Sequence, residues 1–153
     1  VTERAVRSLY FASLDTRRRL QRIQQELAWN VVPFAAGNFT ANTGTWTVAS
    51  ADQKLYQYIK MGRFLAVNFF LEDTTTSSSM GNELRITLPR GMSATDTNYT
   101  GPLTIRGSVE TEGYVTTGGS TLLYCYKTDH SAWPSSITNN VDVRGMITLQ
   151  VAQ

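Results

Sequence analysis

Residues 3–29 read ERAVRSLYFASLDTRRRLQRIQQELAW and predict one long α-helix, after which the chain changes character. The apolar positions follow the alternating spacing of three and four residues that marks a heptad seam. Ser13 and Thr16 interrupt the middle of that seam, so the apolar residues form two patches. A helix with such a stripe needs a partner, and we expect it to be an oligomerisation surface. Its residues are Val6, Leu9, Leu20, Ile23 and Leu27.

The same helix carries three consecutive arginines, Arg17, Arg18 and Arg19, which spread over about 200° of its surface. Residues 1–30 hold six arginines and three acidic residues, whereas residues 31–153 are close to neutral. One interpretation is attachment to an acidic partner protein, and the alternative is a solvated face. The near-neutral remainder gives no electrostatic indication of nucleic-acid binding.

Everything after Asn30 is typical of short β-strands. In residues 141–151, VDVRGMITLQV, apolar and polar side chains alternate, which predicts a half-buried strand. Residues 63–72 are apolar on both faces, which indicates a central strand or a face used in assembly. Further candidate strands are residues 31–35, 45–49, 55–60, 83–88, 103–110 and 121–128.

Turn residues separate these segments, and residues 74–79, TTTSSS, predict a polar loop. Many short strands without a helical insert predict a mainly β chain, folded as an antiparallel β-sandwich of the jelly-roll kind. We therefore expect two units: residues 1–30 as a helix for oligomerisation or attachment, and residues 31–153 as the sandwich.

Residues suited to catalysis or metal binding are sparse. The single histidine lies in Asp129-His130-Ser131, and three adjacent residues do not converge on one substrate atom as a triad does. The one cysteine, Cys125, is expected in the core. Glu110 and Glu112 share a predicted strand face, but two carboxylates fall short of a calcium shell. We expect no enzyme activity, cofactor or metal.

Aromatic side chains are the remaining candidates for ligand binding. Trp133 precedes a proline and is flanked by serines, which predicts a loop position, and Tyr99 also lies outside the clearest strands. Both could stack on sugars from loops at one end of a sandwich. The competing interpretation is that Trp133 folds over the end of the sandwich as a core plug.

Several segments together carry a resemblance to a known group. They are Gly44-Thr45-Trp46-Thr47-Val48, Tyr56-Gln57-Tyr58, Gly62 with Val67-Asn68-Phe69, and Leu84-Arg85-Ile86-Thr87-Leu88-Pro89. Over residues 39–92 the chain resembles β-sandwich domains of bacteriophage virion proteins such as tail-fibre tips, head fibres and decoration proteins. The resemblance implies a helical stalk before the sandwich and a homotrimeric assembly. The interrupted helix seam departs from a regular stalk.

The sequence thus favours a non-enzymatic phage structural protein, a trimeric fibre, decoration or receptor-binding component of the virion that is made in the host cytoplasm. Its expected partners are its own copies, other virion proteins bound through the helix, and a host surface glycan. The alternative is a carbohydrate-binding module that uses loop aromatics. A secreted trimeric signalling ligand is a third hypothesis, disfavoured because neither a disulfide pair nor a signal-peptide pattern is present. No segment predicts membrane insertion.

Overall fold

The structure, a computed structural model, describes residues 3–108, 110–118 and 121–152, and only the backbone of residues 3–12 and 26. The prediction of a mainly β, antiparallel fold preceded by one helix is confirmed. The elements are α1 (Glu3–Glu26), β1 (Asn30–Val31), β2 (Phe39–Ala41), β3 (Trp46–Thr47), β4 (Gln53–Met61), β5 (Phe64–Thr76), β6 (Leu84–Thr87), β7 (Thr100–Gly107), β8 (Thr111–Gly118), β9 (Leu122–Lys127) and β10 (Ile137–Gln150).

The strands form one antiparallel sheet that curls into two facing halves. Its order is β1-β4-β5-β10-β7-β8-β9-β6-β2, and β3 pairs with β5 beside this path. Phe39 of β2 lies 6.1 Å from the ring of Tyr56 of β4, and the Tyr56 hydroxyl donates to the Thr87 carbonyl of β6. Strands from opposite ends of the sheet thus meet across one core, as a sandwich requires. The jelly-roll topology stays a prediction.

The alternation predicted for the last strand is confirmed. Val141, Val143, Gly145, Ile147 and Leu149 are buried, while the residues that alternate with them, Asp142, Arg144, Met146 and Thr148, face outward. Residues 63–72 do form a central strand, because β5 pairs with β4 on one side and with β10 on the other. The core between the two halves is apolar and is built from the inward-facing hydrophobic side chains of β4, β5, β6, β9 and β10.

The helix and the first strand are shorter than predicted. Helix α1 ends at Glu26 rather than at residue 29, because Asn30 and Val31 pair with β4 and need an extended backbone. The strand predicted over 31–35 is limited to β1, since Pro33 has no N–H to donate to a ladder. The predicted N-cap, Thr2, lies outside the described residues.

The strand prediction was wrong around residues 100–118. Strand β7 begins at Thr100 and ends at Gly107, which has a φ of +103°, so Glu110 lies outside any strand and shares no strand face with Glu112. Strand β8 was missed because its glycines and threonines resemble a turn region. It nonetheless pairs with both β7 and β9.

The polar loop predicted over residues 74–79 is also half wrong. Strand β5 continues to Thr76, and Thr74 and Thr76 are buried. Their hydroxyls donate 2.7 Å hydrogen bonds to the carbonyls of Val141 and Pro134, respectively. Because each buried hydroxyl has an acceptor, the strand can run on through a threonine sequence.

Candidate functional site

The C-terminal half of α1 exposes an apolar stripe. Leu20, Ile23 and Leu27 are 56%, 49% and 52% exposed, although the heptad spacing assigns all three to a seam. Helix α1 meets the sheet near β4, and this contact leaves the stripe uncovered. The side chains of Val6 and Leu9, predicted to extend the seam, lie outside the described part of the chain.

The residues that follow the helix add further exposed apolar side chains. Trp29 follows the helix and is 41% exposed, and Val31 of β1 is 73% exposed. Val31 stands opposite Gln57 of β4, and cross-strand partners point to the same side of a sheet. Exposed apolar side chains thus occur both on the helix and on the outer face of β1, the strand that follows it.

That outer face of β4, β5 and β10 carries three more exposed apolar side chains, Met61, Phe64 and Met146. Met61 stands opposite Phe64, and Met146 stands opposite Asn68, the partner of Gln57. Exposed apolar side chains grouped in this way mark interaction surfaces in soluble proteins. We call Leu20, Ile23, Leu27, Trp29, Val31, Met61, Phe64 and Met146 together the apolar surface.

Basic side chains surround the junction between helix and sheet. An open crevice of about 490 Å³ is lined by Arg22, Lys60 and Arg90 among others. Arg90 has a left-handed φ of +53° and lies 6.0 Å from the ring centroid of Tyr58. None of the three basic residues forms an ion pair with another side chain in the described ranges. The crevice offers positive charge to an acidic partner beside the apolar surface.

The arginines predicted from sequence lie elsewhere on the helix. Arg17, Arg18 and Arg19 are exposed, and Arg19 Nε lies 2.9 Å from Asp15 Oδ2. Such an exposed pair contributes little to stability. Sequence reasoning missed Arg22, Lys60 and Arg90, because only the fold brings these three separated residues together.

The ring of Trp133 is not exposed, so of the two interpretations of this residue the structure favours the core plug. Trp133 is 1% exposed, and its backbone N–H donates to the Gly81 carbonyl at 2.8 Å. Ser136 also donates from its backbone to the Ser77 carbonyl at 2.8 Å. These bonds hold the segment against the loop after β5, so the indole fills the core as the plug interpretation expected.

Tyr99, the second ligand candidate, is half-buried and packs against the core. Its hydroxyl lies 3.4 Å from Thr95 Oγ1, and its backbone carbonyl accepts hydrogen bonds from Thr116 and Thr117 of β8. Its half-exposed ring leaves ligand binding there an untested prediction.

The histidine segment is not arranged as a triad. Asp129 Oδ1 accepts hydrogen bonds from the Ser131 backbone N–H at 2.9 Å and from its hydroxyl at 2.7 Å, and these bonds lower the pKa of Asp129. His130 contacts Tyr114 instead. Cys125 is buried, as predicted, and desolvation raises the pKa of its thiol. Across the described ranges, no three acidic, histidine or cysteine side chains gather into a group that could hold a metal ion.

Comparisons with known proteins add little. No protein-family model matches the sequence, and no curated protein has a significant sequence match. Among solved structures, the bovine atadenovirus type 4 fibre head protein aligns over 82% of this chain and 97% of its own, with a TM-score of 0.38 and 8% identity. A likeness this distant carries no functional argument. No helix in the described ranges is both long and apolar enough to cross a membrane.

Proposed function

We propose that this protein is a non-enzymatic structural component of a bacteriophage virion, of the fibre, decoration or receptor-binding kind, which assembles as a homotrimer. The observation that carries the proposal is the apolar surface, whose exposed side chains lie on the helix and on the outer face of the sheet. An isolated amphipathic helix draws most of its stability from packing of its apolar face. A second copy of the chain carries the same heptad seam, so its helix has the spacing of apolar residues needed to pack against this one.

The energetic argument favours assembly. Each large apolar side chain that becomes fully buried contributes roughly 1.5–3 kcal/mol, and the apolar surface holds eight such side chains, each already partly covered. A single copy leaves these side chains partly exposed and gains none of this free energy. An assembly that buries them gains part of it. Three copies is the number implied by the resemblance to phage virion sandwiches.

Attachment to the particle belongs to the same end of the molecule. Arg17 and Arg18 on the helix and the basic crevice at its base would face an acidic virion protein. In this arrangement residues 1–30 connect the protein to its copies and to the particle. The outer face of β4, β5 and β10 also contacts the other copies, and the rest of residues 31–153 forms the exposed head. The protein is then made in the host cytoplasm and resides in the virion.

Light scattering after size-exclusion chromatography tests the assembly. The wild-type protein should have the mass of three chains, and Leu20→Asp with Ile23→Asp should reduce it to one chain, because the charges enter the seam. Gln21→Asp with Gln25→Asp adds the same charge outside the seam and should keep the trimer mass. A monomeric wild-type protein, or a seam variant that keeps its mass, contradicts the proposal.

A further inference from the structure

Three tyrosines that are separated in sequence meet on the outer face of β8 and β9. Tyr114 stands directly opposite Tyr126, with ring centroids 5.4 Å apart, and Tyr124 lies 6.3 Å from Tyr126. His130, from the turn after β9, lies 5.5 Å from the rings of both Tyr114 and Tyr126. We call Tyr114, Tyr124 and Tyr126 the tyrosine surface.

The tyrosine surface is open to solvent, although its rings are held in place. All three tyrosines are half-buried, whereas Leu123 and Cys125, which alternate with them along β9, are fully buried in the core. The sheet therefore places the rings on the outside by the ordinary alternation of a strand. Each ring is fixed by its neighbours and still presents area to a ligand, so binding would cost little side-chain entropy.

A polar rim surrounds these rings. The Tyr126 hydroxyl donates to Glu83 Oε2 at 2.5 Å, Arg85 Nε donates to the other oxygen of that carboxylate, and Glu83 is 8% exposed. Desolvation, and then the hydrogen bond to Glu83, raise the pKa of Tyr126. The phenol therefore remains a donor, and the Tyr126–Glu83–Arg85 chain holds its polar atoms in fixed directions.

The rim continues on both sides. Arg85 lies over Tyr124, with its guanidinium carbon 5.3 Å from the ring centroid. The Tyr114 hydroxyl lies 3.0 Å from His130 Nε2. Asn42 lies beside Glu83, because its Oδ1 accepts a hydrogen bond from the Glu83 backbone N–H at 3.2 Å, and its Nδ2 donates to Asn82 Oδ1 at 3.0 Å. Aromatic faces thus stand among hydroxyl, imidazole, amide and guanidinium groups within one surface.

We propose that the tyrosine surface is a binding site for a neutral sugar. A pyranose has an apolar C–H face, which packs on a tyrosine ring, and a rim of hydroxyls, which need donors and acceptors at the edge of that ring. Both requirements are met here. The charge of Arg85 is already matched by Glu83, so the site offers no free cation to a carboxylated sugar, and a neutral one fits better.

The position of the site suggests where the sugar would come from, and this step rests on the proposed function. The tyrosine surface lies outside one half of the curled sheet, and the exposed methionines and Phe64 of the apolar surface lie outside the other half. In an assembly that buries the apolar surface, the tyrosines remain on the periphery. They would then face the glycans of a host cell.

Nuclear magnetic resonance of the wild-type protein tests the site directly. The chain has seven tyrosines, which can be labelled with carbon-13 and assigned by single substitutions to phenylalanine. The probes are lactose, maltotriose and diacetylchitobiose, with glucuronic acid as the acidic comparison. We expect at least one neutral probe to shift the signals of Tyr114, Tyr124 and Tyr126 and to leave those of the buried Tyr56 and Tyr58 unchanged.

Substitutions then measure the contribution of the rings. Tyr114→Leu and Tyr124→Leu keep the bulk of the side chain but remove the aromatic face, and each should weaken binding roughly fivefold to tenfold. Phe70→Leu is the matched control, because Phe70 is a half-buried aromatic residue on the outer face of β5 and lies outside the tyrosine surface, and this variant should bind as the wild type does. If a variant fails to fold, the spectrum of the labelled wild-type protein still shows whether a sugar binds at the tyrosine surface.

Three results would overturn the proposal: no shift at the tyrosine surface with any neutral probe, shifts with glucuronic acid alone, or an equal loss of binding in Phe70→Leu. The assembly proposal is judged separately by mass. A trimer without sugar binding rejects only the site, and a monomer that binds sugar rejects only the trimeric assembly.

Discussion

Trp46 and Thr74 are joined inside the core by a hydrogen bond from the indole Nε1 to Oγ1, at 2.9 Å. The same hydroxyl donates to the carbonyl oxygen of Val141 at 2.7 Å. One threonine hydroxyl thereby connects β3, β5 and β10 where water is excluded. The buried indole N–H of Trp46 has its acceptor in that hydroxyl.

Replacing Thr74 with valine should destabilise the protein, although the two side chains have nearly the same shape. The change leaves the Trp46 indole N–H without its partner in a buried site, which costs about 1–3 kcal/mol in the free energy of unfolding. Chemical denaturation monitored by tryptophan fluorescence measures this. Thr148→Val, at an exposed position on the outward side of β10, should cost less than about 0.5 kcal/mol. Equal effects of the two substitutions would refute the role of the buried bond.

Trp133→Ala should act on stability, because the indole fills the core rather than facing a ligand. Truncation of a buried aromatic side chain costs about 3–5 kcal/mol. Differential scanning calorimetry should show a clearly lower melting temperature, and Trp133→Phe, which keeps most of the volume, should recover a large part of the loss. An unchanged melting temperature for the alanine variant would mean that the indole is not part of the core.

Removal of residues 1–29 should leave a folded β unit. The buried hydrophobic side chains in the described ranges begin at Val32, so the deletion removes none of them. We expect the truncated protein to be monomeric, to keep a β-type circular dichroism spectrum and to unfold cooperatively on heating. A non-cooperative transition would show that the helix is needed for folding, and that the two-unit division is wrong.

Cys125 should resist thiol reagents in the native state. Its side chain is fully buried, and the raised pKa of the thiol keeps it protonated near neutral pH, whereas the thiolate is the reactive form. Ellman's reagent should therefore release colour only after guanidinium is added. Rapid reaction of the native protein would indicate that β9 opens from the core on the timescale of the assay.

The parts of the fold that the sequence predicted correctly are those with a local periodicity. Alternation in residues 141–151 placed every buried side chain of that stretch on the right face, because one buried side of a strand imposes a period of two. Strand β8 gave no such signal: Gly113 and Gly118 resemble turn residues, and the pairing that makes the segment a strand comes from β7 and β9. Thr74 and Thr76 were misassigned because their buried acceptors lie about 60 residues away in sequence.

The candidate sites divide in the same way. The exposed stripe at Leu20, Ile23 and Leu27 follows from heptad spacing within one helix. The tyrosine surface depends on the register between β8 and β9, which sets Tyr114 against Tyr126. A single sequence does not specify that register, so these tyrosines could be noted as aromatic but not grouped. The loop position of Trp133 was predicted correctly from its neighbouring proline and serines. The composition of the loop did not indicate that the loop packs over the core.

The pairing of strand β10 affects how the protein folds during its synthesis. This strand pairs with β5 along most of its length and with β7 on its other side, so it is the strip that joins the two halves of the sheet. Both strands that pair with β10 precede it in the chain, so the ladders between them form only after β10 has been synthesised. Until it emerges, the two halves have no shared ladder, and contacts between distant segments form slowly. Helix α1 precedes β10 in the chain and forms from local contacts. If the proposed assembly uses the helix, nascent chains would pair through it before their sheets have closed, and the rate of translation would affect the yield of trimers.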